Sequence, residues 1–179
     1  MTGDDPILEA LPLVHFAKLA HADGVNAKLI EGFEREKSHG WARQTHHFHG
    51  RFENTYIDRE RLPEIAPVIE FARAAACQQL AQPDLHLGYW FNEMHPGQRT
   101  SLHAHEELDE LLSAVYYCSA PEQSGRLLLH DGPATISITP TPGMLVIFRP
   151  DLPHEVEINH SDATRLSIAF NFGPAREEN

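Results

Sequence analysis

From residue 85 to residue 172 the chain is a succession of short apolar segments, each closed by a turn signal, and this pattern restricts the fold more than any other feature. Residues 85–94 form one such segment, and His95-Pro96-Gly97 turns the chain into residues 100–107. Residues 111–118 are almost continuously apolar and therefore predict a central strand. Ser124-Gly125, Asp131-Gly132-Pro133 and Pro142-Gly143 then punctuate residues 126–130, 135–139 and 144–148. After Arg149-Pro150-Asp151, two alternating segments, Val156 with Ile158 and Leu166 with Ile168 and Phe170, predict a closing β-hairpin around the polar turn 159–164. Short strands spaced roughly eight to twelve residues apart mean a sandwich or a barrel.

The first half reads differently. Pro12 among short apolar runs suggests a brief strand within residues 7–20, ahead of an amphipathic helix at 25–37 that carries Leu29, Ile30 and Phe33 and stops at Gly40. Residues 41–56 show no clean period and predict a loop with an irregular strand. Pro63 and Pro67 open a second helix that runs to about Leu80 and ends before Pro83. Two helices ahead of an all-β segment imply helices packed on the outside of one sheet. With 179 residues, 41% of them hydrophobic, the chain reads as one domain, in which a helix-rich N-terminal region (residues 1–84) packs on a β core (residues 85–172).

Thirteen histidines are many for such a length, and some are concentrated. In Leu102-His103-Ala104-His105-Glu106-Glu107, side chains 103, 105 and 107 share one face if the segment is a strand, because the period is two. His154 follows about two hairpins later, and ten residues separate it from Arg165-x-Ser167. Two histidines and a carboxylate on one face of a metal with open positions suit Fe(II). The set is either His105, Glu107 and His154 or His103, His105 and His154; Glu107 is favoured over His103 as third ligand, since an anionic ligand lowers the charge at the metal. Arg165 supplies a cation for a carboxylate in the same cavity.

The net charge of −12 and pI of about 5.4 argue against a surface that tracks phosphates, so nucleic acid is not expected as a partner. No apolar stretch is long enough to span a membrane, and the acidic start Met1-Thr2-Gly3-Asp4-Asp5 lacks the features of a signal peptide, so the expectation is a cytoplasmic protein. Cys77 and Cys118 have no paired spacing and read as plain buried thiols.

The ordered set His-x-His-x-Glu, Leu-Ser-Ala-Val-Tyr-Tyr, Ser-Gly-Arg-Leu, Pro-Gly-Met-Leu-Val-Ile-Phe, Pro-His-Glu-Val and Arg-Leu-Ser-Ile-Ala-Phe-Asn resembles the Fe(II)- and 2-oxoglutarate-dependent oxygenases, particularly small bacterial and phage members related to prolyl hydroxylases. The resemblance covers about residues 85–172. It implies a double-stranded β-helix, the cupin-like jelly roll, flanked by helices. It also implies Fe(II), 2-oxoglutarate and O2, with hydroxylation of an unactivated C–H in a small molecule or amino-acid side chain and release of succinate and CO2. Carried over residue by residue, it makes His154 the distal metal ligand and Arg165 with Ser167 the anchor of the 2-oxoglutarate C5 carboxylate. Tyr117 or Tyr116 adds a phenolic donor there, Asn92 touches the C1 end, and Asn171 is a further candidate. The chain departs from the family at the proximal pair, where His103-x-His105 and His105-x-Glu107 compete. A three-histidine cupin-type dioxygenase without 2-oxoglutarate, and a non-catalytic jelly-roll binding module, are the alternatives. Arg43, His46, His49 and Arg51 form a candidate cationic lid, which hints at a carboxylate-bearing substrate. The chain is short for the family, so a homodimer that completes the pocket is a further expectation.

Overall fold

A computed structural model describes residues 13–104 and 109–175. Eleven strands are present among them: β1 (Val14–Lys18), β2 (Arg43–Phe48), β3 (Arg51–Tyr56), β4 (Leu85–Met94), β5 (Thr100–His103), β6 (Leu112–Ser119), β7 (Leu127–Asp131), β8 (Ala134–Ile138), β9 (Met144–Phe148), β10 (His154–Val156) and β11 (Arg165–Pro174). Two helices, α1 (Ala22–Glu36) and α2 (Ala66–Leu80), fall where the apolar spacing predicts them. No helix among the described residues is long and apolar enough to cross a membrane.

Seven strands form one sheet in the order β1-β9-β6-β11-β4-β3-β2, and four form a second in the order β5-β10-β7-β8, every pairing antiparallel. This is the double-stranded β-helix with flanking helices. The large sheet turns one apolar face to the helices, while its other face carries Arg165, Ser167 and Asn171 toward the small sheet. Leu166, Ile168, Phe170 and Phe172 of β11 join Leu29 and Phe33 of α1 and Val68, Ala72 and Ala76 of α2 in one core. The alanines let α2 approach closely, as their small volume predicts. Between the sheets, Tyr117, Val146 and Phe148 meet Leu127, Leu129 and Ile138 in a second core. Adjacent residues of one strand therefore serve opposite layers: the Tyr116 hydroxyl donates to Asn26 Oδ1 in α1 at 2.7 Å, while Tyr117 points between the sheets.

Two expectations are corrected. The closing segments are not a hairpin: β10 lies in the small sheet between β5 and β7, β11 in the large sheet between β6 and β4, and the chain crosses from one to the other. Asn159, 1% exposed, organises that crossing by donating from Nδ2 to the carbonyls of Met94 and Ala163 at 3.0 and 2.9 Å. Residues 43–56 are a hairpin and not a loop: β2, in which His46 has a positive φ of 58°, and β3 are joined by a two-residue turn, His49-Gly50, with positive φ at both positions, 46° and 76°. Those are the signs of the tight turn that matches strand twist, and glycine supplies one of them without strain. The segment before residue 85 thus contributes β1, β2 and β3 to the large sheet as well as both helices.

Candidate active site

The crossing places His154 and Arg165 on opposite sheets, where both line one cavity of about 50 Å³ between the layers. On the small sheet His154 is the register partner of His103, and the two rings lie 4.3 Å apart between centroids at 58°. Phe148 packs edge-on to His154 at 4.9 Å. Both imidazoles are oriented by the same device. Nδ1 of His103 lies 2.8 Å from the Ser101 carbonyl, and Nδ1 of His154 lies 2.8 Å from the Leu152 carbonyl, in each case two residues upstream. A carbonyl only accepts, so each Nδ1 carries the hydrogen and each Nε2 the lone pair. Ligating histidines are ordinarily held in this way.

His105 and Glu107 lie outside the described residues, and β5 ends at His103. Among the described residues no three His, Cys, Asp or Glu side chains gather at one point. What the structure brings together is therefore His103 with His154, the pairing that the sequence favours less.

Arg165 opens β11, and it is 1% exposed. Its Nη1 donates to the Gly125 carbonyl at 2.6 Å and more weakly to that of Ser124 at 3.4 Å, while Nε has no partner and no carboxylate among the described residues pairs with it. The guanidinium carbon sits 5.0 Å from the centre of the Tyr117 ring, whose fully buried hydroxyl also has no hydrogen-bond partner. Burial pushes the Arg165 pKa down, against the influence of Tyr117, and pushes the Tyr117 pKa up, against that of Arg165. An unneutralised cation at the cavity wall and an orphaned hydroxyl buried beside it cost stability in the ligand-free protein. Their chemistry fits an incoming carboxylate, which neutralises one and accepts from both. Ser167, buried beside them, donates to the Asn92 carbonyl at 3.5 Å.

The remaining sequence candidates separate. Asn92 lines the cavity, with Oδ1 3.4 Å from Arg51 Nη2 and Nδ2 3.4 Å from Thr100 Oγ1. Asn171 lines it too, donating to Glu110 at 2.6 Å and accepting from Ser113 at 3.2 Å. Tyr116 faces α1 and is not in the site. Arg43 lies over the Tyr56 ring at 4.0 Å and lines a separate surface cleft. His49 sits at the exposed hairpin turn near Arg99, at 3.3 Å. Arg51 is buried beneath the cavity wall, donating to the carbonyls of Arg99 and Glu93 at 3.0 and 3.2 Å and to Thr100 Oγ1 at 3.1 Å. These three do not form a cationic lid; only His46 reaches the outer vestibule. That vestibule shares Asn54, Trp90, His103 and Asn171 with the inner cavity, and its charged side chains among the described residues are Glu53, Asp109 and Glu110. Sequence reasoning missed Glu53, Ser101 and the carbonyl of Gly125, although Ser124-Gly125 was visible as a turn.

Known proteins share this fold. Residues 89–173 match the sequence model of the 2OG-Fe(II) oxygenase superfamily. A prolyl-4-hydroxylase from Pseudomonas putida superposes with a TM-score of 0.64 at 21% identity, covering 94% of this chain and 91% of that one. A viral collagen prolyl hydroxylase from Paramecium Bursaria Chlorella virus-1 gives 0.67 at 16% identity, with 98% and 97% covered. The non-heme alpha-ketoglutarate-dependent carbocyclase SnoK from nogalamycin biosynthesis gives 0.71 at 15% identity, with 94% and 82% covered. No curated protein sequence matches. The matched segment, which carries His103, His154 and Arg165, is similar to the 2OG-Fe(II) oxygenase superfamily, and the solved neighbours share its fold.

Proposed function

We propose that the protein hydroxylates an unactivated C–H of a small molecule or an amino-acid side chain, with release of succinate and CO2. The observation that carries the reading is Arg165: a guanidinium 1% exposed, lining the cavity, without a carboxylate partner among the described residues. A three-histidine dioxygenase without 2-oxoglutarate, or a plain binding module, gives this costly group no purpose.

In this reading His103 and His154 hold Fe(II) through Nε2. The pairing of His103 with His154 favours His103-x-His105 as the proximal motif, with His105 the third ligand rather than Glu107. Bound Fe(II), 2-oxoglutarate and O2 supply the oxidising power when all three are present. The chain's own residues do the rest. Ser101 and Leu152 hold the two imidazoles in the ligating tautomer. Arg165 and Tyr117 fix the distal carboxylate, and Phe148, Leu127 and Val156 keep that end of the cavity dry. The vestibule's carboxylates and its aromatic walls Tyr56, Tyr89 and Trp90 favour a substrate that presents a neutral or cationic group, not the carboxylate that a cationic lid would recruit.

The test is anaerobic titration of Fe(II) and 2-oxoglutarate into the protein and into Arg165→Ala and His103→Ala variants, followed by the weak visible charge-transfer band of the chelate. The expected result is a band in the wild type, a weaker one at equal 2-oxoglutarate in the arginine variant, and none in the histidine variant. Bound iron with no band in the wild type would overturn the use of 2-oxoglutarate, and a full band without His103 would return the proximal site to His105 and Glu107.

A further inference from the structure

Strand β3 inverts the usual pattern of a strand against a core: Arg51, Glu53 and Thr55 are buried while Phe52 is 44% exposed. Burying a carboxylate is costly unless its oxygens are fully bonded. Glu53 is 5% exposed and meets that condition with one residue: Oε1 accepts the Ser101 backbone N–H at 2.7 Å, and Oε2 accepts the Ser101 hydroxyl at 2.7 Å. Its nearest cation, Arg51 Nη2, stands 3.9 Å away and itself holds the neighbouring Arg99 carbonyl and Thr100 hydroxyl.

The segment gripped in this way is the one that carries His103. Ser101 presents its N–H and hydroxyl to Glu53 and its carbonyl to His103 Nδ1. Within the small sheet β5 lies at the edge, joined to β10 only at His103 and Thr100, with an irregular register between the two pairs. It is the least supported strand at the cavity, yet it carries an imidazole that must hold its angle. His154 has no comparable need, because β10 is paired on both sides.

We infer that Glu53 is a positioning residue of the metal centre, which by locking Ser101 across the gap between the two sheets sets the orientation of His103 as a ligand. The inference rests on the reading of His103 as a metal ligand. Loss of the carboxylate leaves the Ser101 N–H, at an open sheet edge, to water, and the carbonyl that fixes His103 becomes mobile with it. Groups that orient a ligand in this way typically contribute 10–100-fold to metal affinity. Glutamine in the same place retains both contacts, its oxygen accepting the N–H and its amide donating to the hydroxyl oxygen.

The experiment is titration of the metal-free protein with Co(II), with affinity read by competition against a chromophoric chelator and ligand geometry by the visible d–d bands. Wild type, Glu53→Ala, Glu53→Gln, Glu53→Asp and His103→Ala are compared, with far-UV circular dichroism as the check on folding. The expected result is affinity lower by about 10–100-fold with displaced d–d bands in Glu53→Ala, recovery to within about threefold in Glu53→Gln, and no specific binding in His103→Ala. Wild-type affinity and bands in Glu53→Ala, together with loss of binding in His103→Ala, overturn the inference and leave the metal site standing. Unchanged binding in His103→Ala overturns the metal-site reading and this inference with it. A glutamine variant as weak as the alanine variant overturns the geometric role. Where Glu53→Ala does not fold, Glu53→Asp, whose shorter side chain draws the carboxylate away from the Ser101 N–H and hydroxyl, decides: weaker binding with displaced bands supports the role, and wild-type binding refutes it.

Discussion

Arg165→Met separates what the anchor costs from what it does. The guanidinium is almost fully buried and its only close hydrogen bond is to the Gly125 carbonyl at 2.6 Å. Methionine fills a similar volume and carries no charge. Removing the cation relieves a burial penalty of several kcal/mol. It also leaves the Gly125 carbonyl without its donor, at roughly 1–3 kcal/mol. The ligand-free variant is therefore expected between unchanged and about 3 kcal/mol more stable. At roughly 2–4 °C per kcal/mol for a chain of this size, its Tm stays level or rises by up to about 10 °C. Ligand binding moves the opposite way. At a 2-oxoglutarate concentration about 100 times Kd the wild type gains about 2.7 kcal/mol, or roughly 5–11 °C. Truncating one side of a buried charge-assisted pair costs roughly 2–5 kcal/mol, so the variant binds some 30- to 4,000-fold more weakly and gains under about 1 kcal/mol at the same concentration. The assay is thermal melting with Mn(II) as a redox-silent metal, with and without 2-oxoglutarate. A variant that keeps the full ligand-induced shift, or whose ligand-free Tm falls by more than about 10 °C, refutes the reasoning, since Arg165 would then be structural.

Three further outcomes follow from the same geometry. Tyr117→Phe removes a hydroxyl with no partner in the protein, so the ligand-free Tm does not fall while 2-oxoglutarate affinity by calorimetry drops roughly tenfold or more, the usual worth of a hydrogen bond to a charged group. Gly125 has φ of 94°, and a Cβ there would lie 2.2 Å from the Glu157 carbonyl oxygen; strain of roughly 1–2 kcal/mol plus a comparable packing cost lowers the stability of Gly125→Ala by about 2–5 kcal/mol in urea melts and, by moving the carbonyl that holds Arg165, weakens 2-oxoglutarate. Burial, reinforced by Asp109, raises the pKa of Glu110, so the folded protein favours its protonated form: the stability this confers is present below the ordinary carboxylate range and is lost as pH rises through the raised value. Glu110→Gln, which still accepts from Asn171, is expected to match the wild type in Tm near pH 4 and to exceed it at pH 7, and an equal Tm at both pH values would contradict the assignment.

Period-two alternation and turn residues were enough to find β4, β6, β7, β8, β9 and β11, because each is bounded by a backbone requirement such as the positive φ of Gly97, Gly125, Gly132 or Gly143. Alternation reports which face of a strand is buried, however, and not which sheet the strand joins. Val156 and Leu166 are apolar for the same reason in either arrangement, so β10 and β11 read as a hairpin although they belong to opposite sheets. The one local sign of the crossing was Asn159 in an otherwise exposed polar stretch, buried because its amide replaces backbone partners that a turn would have supplied.

The site was legible where chemistry is scarce. A histidine and an arginine with ten residues between them point to one cavity whether the strands pair or face each other, so the conclusion holds although the two strands are not a hairpin. The supporting groups were hidden by the opposite logic. On β3 the alternation is regular but carries the charges inward and Phe52 outward, so a hydrophobic reading finds no strand and treats Arg51 as a surface cation. The physical constraint runs the other way. An arginine and a glutamate two residues apart on a strand stay buried only where their charged ends are bonded, and here their partners include Arg99, Thr100 and Ser101, the residues leading into His103. A strand that turns charge into the protein is one whose task is to hold something in place, and what β3 holds is the edge on which His103 stands.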